Sequence, residues 1–211
     1  MHGKNVPFSI SNCPKILKGI RYQYEYRVNV HNCTFKNASF YDVRYRSGHI
    51  TKSSFELATL ENVDFISINL NRSKFVNSQL SHVIFFSCNL TNADFKNARF
   101  NDVYFISCKM KNLKNIKVND EVHIIKQYDK YRVSSYLEYK ILFMHNILKF
   151  EKYNIITTST GKINYWMLRL LLKDFSEDKL SIFFHRLILH HHHQFFTIND
   201  YKGSLQSFYK K

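Results

Sequence analysis

The chain has 211 residues, 45% of them hydrophobic and 22% charged, which is the balance of a folded protein rather than a disordered one. Its formal net charge of +15 favours weak attraction to nucleic acid or anionic lipid, but the excess is spread along the chain and no nucleic-acid reading motif accompanies it. No run of about eighteen apolar residues exists, so a membrane span is excluded as an expectation.

Residues 1–27 precede any regular register and read as an N-terminal cap. Ile20, Tyr22, Tyr24, Tyr26, Val28 and Val30 alternate with mostly polar residues, which predicts a β-strand. Met1–Asn5 is followed by no apolar core of signal-peptide length, so synthesis in the cytosol is expected.

A phrase then recurs at a step of twenty residues: Val43-Arg44-Tyr45-Arg46-Ser47, Val63-Asp64-Phe65-Ile66-Ser67, Val83-Ile84-Phe85-Phe86-Ser87 and Val103-Tyr104-Phe105-Ile106-Ser107. A fixed period marks a solenoid. The twenty divides into four fives, with a large apolar residue at every fifth position from Val30 to Met110 and a small or β-branched one two residues before it, such as Cys33, Ala38, Gly48 and Ala93. Period five suits neither a helix nor a flat strand. It suits a chain that turns a square corner every five residues, the large residue filling the interior. Phe35, Phe55, Phe75 and Phe95 then form one inner column, and Tyr45, Phe65, Phe85 and Phe105 the column opposite. Coils about 4.8 Å apart would stack each ring on its like.

Asn89-Leu90-Thr91-Asn92-Ala93-Asp94-Phe95-Lys96-Asn97-Ala98-Arg99-Phe100 resembles the signature of pentapeptide-repeat proteins, and the resemblance covers residues 28–112. It implies a right-handed quadrilateral β-helix of about four coils, assigned here to residues 28–116. One group of that family resembles DNA in shape and negative charge and protects type II topoisomerases. Residues 28–112 hold ten basic and six acidic residues, so the charge has the wrong sign for DNA mimicry. Topoisomerase protection, or immunity to a bacteriocin or antibiotic, is therefore the alternative function rather than the first one.

Beyond the repeat, residues 117–211 are expected to form an α-helical domain packed on the last coil. Asn119-Asp120 reads as the cap of a short helix containing Val122, Ile125 and Tyr128. Ser135 and Glu138 match a capping box, followed by Leu137, Ile141, Met144 and Leu148 on one helical face. A further helix is expected over about 163–175, with Trp166, Met167, Leu170 and Leu171 apolar. Another begins after Ser176, with Glu177 and Asp178 at the positive end of its dipole and Leu180, Phe183, Phe184, Leu187 and Ile188 apolar. Residues 203–211 are expected to fray.

A β-helix followed by helices is similar in order to SopA-like secreted ubiquitin ligases. That resemblance implies a bacterial protein, held in the cytoplasm or secreted into a host cell without a cleaved signal. Those ligases use a C-terminal catalytic cysteine, and no cysteine follows Cys108 here. An adaptor, not a ligase, is the expectation.

Catalytic patterns are otherwise missing from the sequence. No glycine-rich phosphate loop, HExxH, G-x-S-x-G or CxxC occurs, so no enzyme and no cofactor is expected. His145 with Glu138 or Glu151 is a weak acid–base candidate. His190 and His193 share a helical face and are weak metal candidates, but a stable zinc site wants about four ligands. Cys13, Cys33, Cys88 and Cys108 read as free thiols, with the last three in small inward positions. The outward Arg44, Arg46, Arg72 and Lys74, with Lys52, are the candidate surface for an acidic protein partner. A homodimer is also compatible with the sequence.

Overall fold

The computed structural model describes residues 9–13, 21–127, 132–147, 153–158, 160–189 and 195–210. Two compact units are present, 1–127 and 128–211.

The first unit is a parallel β-solenoid of about five turns over residues 21–125. Its strands are β1 (Ser9–Ser11), β2 (Arg21–His31), β3 (Ser39–Thr51), β4 (Thr59–Asn69), β5 (Gln79–Ser81), β6 (Ile84–Phe86), β7 (Arg99–Asn101), β8 (Val103–Ile106) and β9 (Val122–Ile125). The sheet runs β1-β2-β3-β4-β6-β8-β9, with β5 pairing β4 and β7. From β1 to β8 the register is a constant twenty residues, as in Tyr45 on Phe65 and Phe65 on Phe85.

The corners explain the period of five. Every fifth residue from Tyr22 to Asn112 has a positive φ between 50° and 58°. Asn and Asp accept that left-handed conformation most readily among residues with a side chain, and together with Ser they dominate the series: Asn32, Asn37, Asp42, Ser47, Asn62, Ser67, Asn77, Ser87. The recurring serines of the twenty-residue phrase are therefore corner residues. Backbone amides and carbonyls find partners one coil away, as in Phe55 N to Lys74 O at 2.7 Å and Phe75 N to Asp94 O at 2.7 Å.

Inside, rings stack as the periodicity predicts. Phe55–Phe75 and Phe75–Phe95 centroids are each 4.8 Å apart and nearly parallel, and Phe65–Phe85 and Phe85–Phe105 lie at 5.1 and 4.9 Å. Phe35–Phe55 and Tyr45–Phe65 continue the two columns. Across the interior the columns meet edge to face, with Phe75–Phe85 at 5.8 Å and 85°. The small residues bond as well as fit: Ser73 Oγ donates to Ile50 O, Cys88 Sγ to Phe65 O and Cys108 Sγ to Phe85 O. Gly48 is a steric requirement, because a Cβ there would lie 2.1 Å from the Val28 carbonyl oxygen at a φ of +117°.

Both ends of the solenoid reach further than the sequence implied. At the start, β2 adds a coil in which Gln23 pairs with Val43 and Glu25 with Tyr45, so polar residues occupy inward columns. At the far end, the helix expected at Val122 is instead β9, which pairs with β8 at a nineteen-residue step, Val103 on Val122. The chain shortens at Asn115, whose own positive φ follows Asn112 by only three residues. Asn119 then builds a turn, accepting from Val122 N through its carbonyl and from Glu121 N through Oδ1.

In the second unit the described residues form α1 (Ser135–Ile147), α2 (Tyr165–Leu172), α3 (Glu177–Leu189) and α4 (Ile198–Tyr209). Leu137, Ile141, Met144, Met167, Leu168, Leu171, Leu180, Phe184, Tyr201 and Leu205 are buried. The first cap is Ser134 rather than Ser135, since Ser134 Oγ accepts from Leu137 N. Residues 203–209, expected to fray, lie in α4, whose start is a capping box of Thr197 and Asp200. Leu148 lies outside the described residues.

Truncating a ring in the middle of a column leaves a cavity that two neighbouring coils cannot close. Phe75→Ala is expected to cost about 3–5 kcal/mol of stability, measured by equilibrium denaturation.

Candidate binding surface

The four cations expected to form one basic wall separate in the structure. Arg44 and Arg46 flank Tyr45, whereas Arg72 and Lys74 precede Phe75 in the opposite column.

Arg44 is not a surface residue. Its Nη1 donates to Asp64 Oδ2 at 2.6 Å, and both side chains are buried, 1% and 0% exposed. Register explains the pair: Arg44 and Asp64 occupy the same outward position in successive coils. Ile66, Ile84, Tyr104 and Ile106, at outward positions of the same wall, are buried too, whereas Phe86 is half-buried. Arg44 and these four buried residues are therefore not offered to solvent. Arg46 is half-buried and lies 5.9 Å over the Tyr26 ring, which Arg27 also covers at 5.2 Å.

Arg72 and Lys74 are exposed. Their neighbour is Lys52, exposed at the corner position one coil before Arg72, with φ values of 51° and 58°. Lys52 and Arg72 thus stand on one corner in successive coils, and Lys74 lies on the adjoining wall. Like charges directly opposite one another in a ladder are destabilising. This ridge of three cations is the part of the predicted surface that the fold does bring together.

A second polar cluster escaped the sequence reading. His82 Nδ1 and His123 Nε2 lie 3.4 and 3.2 Å from the two oxygens of Asp102, and Asp102 N donates to Glu121 Oε2. The twenty-residue spacing of His82 and Asp102 was readable, but His123 joins them only through the nineteen-residue step. The cluster ties β9 to the coil beneath. Among the described residues no group of three or more His, Cys, Asp or Glu is arranged to hold a metal ion. His190 and His193 lie outside the described residues.

Of the acid–base candidate, His145 and Glu138 have separate partners, and Glu151 lies outside the described residues. His145 Nδ1 lies 3.0 Å from Thr157 Oγ1, while Glu138 accepts from the Tyr165 hydroxyl at 2.6 Å. That bond pushes the Tyr165 hydroxyl up to about 12. Burial pushes the Cys88 thiol up, the opposite of what a nucleophile needs.

Glu25 is a perturbed carboxylate in the solenoid. Burial pushes it above its ordinary value, and a hydrogen bond from Gln23 Nε2 offsets part of the effect. Tyr45 beneath it is raised by burial and by the Glu25 charge. A raised carboxylate holds its proton more tightly in the folded state, so its contribution to stability is present below the ordinary value and lost as pH rises through the raised one. Glu25→Gln is therefore expected to raise Tm at neutral pH and to flatten the Tm–pH curve across that window. For the buried ion pair, Arg44→Ala is expected to cost about 3–5 kcal/mol by removing the cation bonded to Asp64 Oδ2, while Arg44→Met with Asp64→Leu recovers most of it. Denaturation of the single and double variants checks this.

Residues 53–92 and 84–114 match the family model for pentapeptide repeats, in eight copies. No curated protein matches the chain. Among solved structures, a pentapeptide repeat protein from the cyanobacterium Cyanothece 51142 is 15% identical with a TM-score of 0.38, over 48% of this chain and 63% of that one. A pentapeptide repeat protein of the Arabidopsis thaliana thylakoid lumen is 17% identical with a TM-score of 0.32, over 49% and 66%. QnrB1, a plasmid-mediated fluoroquinolone resistance protein, is 17% identical with a TM-score of 0.32, over 51% and 59%. The chain spans less than two thirds of the length of each. The repeat model, the five-residue corners and the stacked rings together identify the solenoid of this chain as a pentapeptide-repeat β-helix.

Proposed function

We propose that this protein is a non-enzymatic scaffold that holds an acidic macromolecule, foremost a protein, on the ridge formed by Lys52, Arg72 and Lys74. The observation that carries this reading is the stacking of Lys52 on Arg72 at one corner, with Lys74 beside them. The fold gains nothing from that repulsion, whereas an acidic partner would relieve it. A β-helix holds such residues rigidly, so little ordering entropy opposes binding. The order of β-helix and helices supports an adaptor acting on a host protein. Imitation of DNA is disfavoured by the positive charge of the repeat region.

The test is Lys52→Glu with Arg72→Glu and Lys74→Glu in the full chain. Stability is expected to stay within about 0.5 kcal/mol of the parent, because the three side chains are solvated. Capture from bacterial and host lysates is expected to lose the partner, and the parent complex to weaken with added salt through its association rate. Retention of every partner by the variant would remove the ridge from the interface.

A further inference from the structure

Helices α1 and α3 lie side by side, and Lys140 Nζ sits 3.2 Å from His185 Nδ1 where they meet. Each helix buries one face: Leu137, Ile141 and Met144 on α1, and Leu180, Phe184 and Leu187 on α3. The faces left outside are also apolar. Tyr136, Tyr139 and Phe143 follow at i, i+3 and i+7 on α1, and Ile182 and Leu189 at i and i+7 on α3, with His185 between them. Tyr136 is 59% exposed, Tyr139 57%, Ile182 56% and Leu189 60%. Tyr139 stacks on the half-buried Phe143 at 5.6 Å, and Lys140 lies 5.1 Å over Tyr136. The strip is therefore apolar on both flanks, with Lys140 and His185 along its middle.

The acidic residues nearby are mostly engaged elsewhere. Glu138 accepts from Tyr165, and Glu177 accepts from Ser134 N. Asp178, exposed in the first turn of α3 four residues before Ile182, puts one carboxylate at the end of that face.

We propose that this two-helix face seats on an anionic membrane surface, its tyrosines and aliphatic side chains entering the headgroup boundary and Lys140 meeting lipid phosphate. Soluble proteins rarely leave a large apolar patch uncovered. Tyrosine is suited to the boundary because one end of it is apolar and the other polar. A second copy of this chain is the poorer occupant, since a two-fold contact centred on this face would set Lys140 and His185 against their own copies. The net charge of +15 adds long-range attraction to a negative leaflet. No described helix is long and apolar enough to cross a membrane, so the face would lie on the surface rather than span it. The assignment is independent of the solenoid ridge.

Flotation of the full chain with vesicles tests it, using phosphatidylcholine alone and phosphatidylcholine mixed with phosphatidylserine. The parent is expected to float with the mixed vesicles and to stay behind with phosphatidylcholine alone. Tyr139→Ser with Ile182→Ser and Leu189→Ser, all exposed and so harmless to the fold, is expected to lower partitioning at least about tenfold. Lys140→Glu is expected to lower it about fivefold or more. The Lys52, Arg72 and Lys74 reversal is expected to leave partitioning within about fivefold of the parent, which separates this face from the ridge. Circular dichroism and Tm confirm that each variant is folded. The proposal is overturned if the parent does not float with anionic vesicles. It is equally overturned if the serine variant floats as well as the parent, which would assign binding to net charge alone. A serine variant that turns a dimer into a monomer with flotation unchanged would assign the face to a second copy and also overturn it.

Discussion

Everything in the first unit depends on a backbone that enters the left-handed region once every five residues. That turn is sterically costly for a residue with a Cβ, and least so for Asn and Asp, which is why those residues crowd the corners. Leu57, Arg72 and Lys52 show that the solenoid tolerates worse choices. Each corner is held by its copies twenty residues away, through coil-to-coil hydrogen bonds such as Asn37 N to Glu56 O and Asn77 N to Lys96 O. With the corners set, the central residue of each five must point inward. Identical residues then lie one coil apart, and flat rings stack at the strand spacing.

A stacked solenoid has two ends, and both are irregular here. The first coil places Gln23 and Glu25 where later coils place valine and an aromatic ring. An inward carboxylate is tolerable only where water still reaches it. At the other end Ile124 holds the position of the Phe column and is 37% exposed. The Asp102 carboxylate between His82 and His123 fastens that last strand at the one place where the twenty-residue register has lapsed.

The surface follows a different logic from the interior. Position within the coil decides which charges are solvated: Lys52 and Arg72 project from a corner, Arg44 is buried beside Asp64. A net charge is therefore no guide to which cations are available. The helical unit adds the second kind of exposed chemistry, an apolar strip with Lys140 and His185 along its middle.

The five-residue period, the two ring columns, the small inward residues and the caps at Ser176 and the first turn of α3 were legible in the sequence, because each depends on residues near in sequence or related by a strict repeat. The helical apolar sets were legible for the same reason, as Leu137, Ile141 and Met144 show. What the repeat could not announce was its own departures. Strand β9 reads as a helix start because its partner lies nineteen residues away instead of twenty, and pairing across coils overrides local capping residues. The burial of Arg44 was likewise decided by the tertiary structure alone. A one-dimensional pattern says whether a side chain points in or out of the coil, and only the assembled walls decide whether pointing out means reaching water.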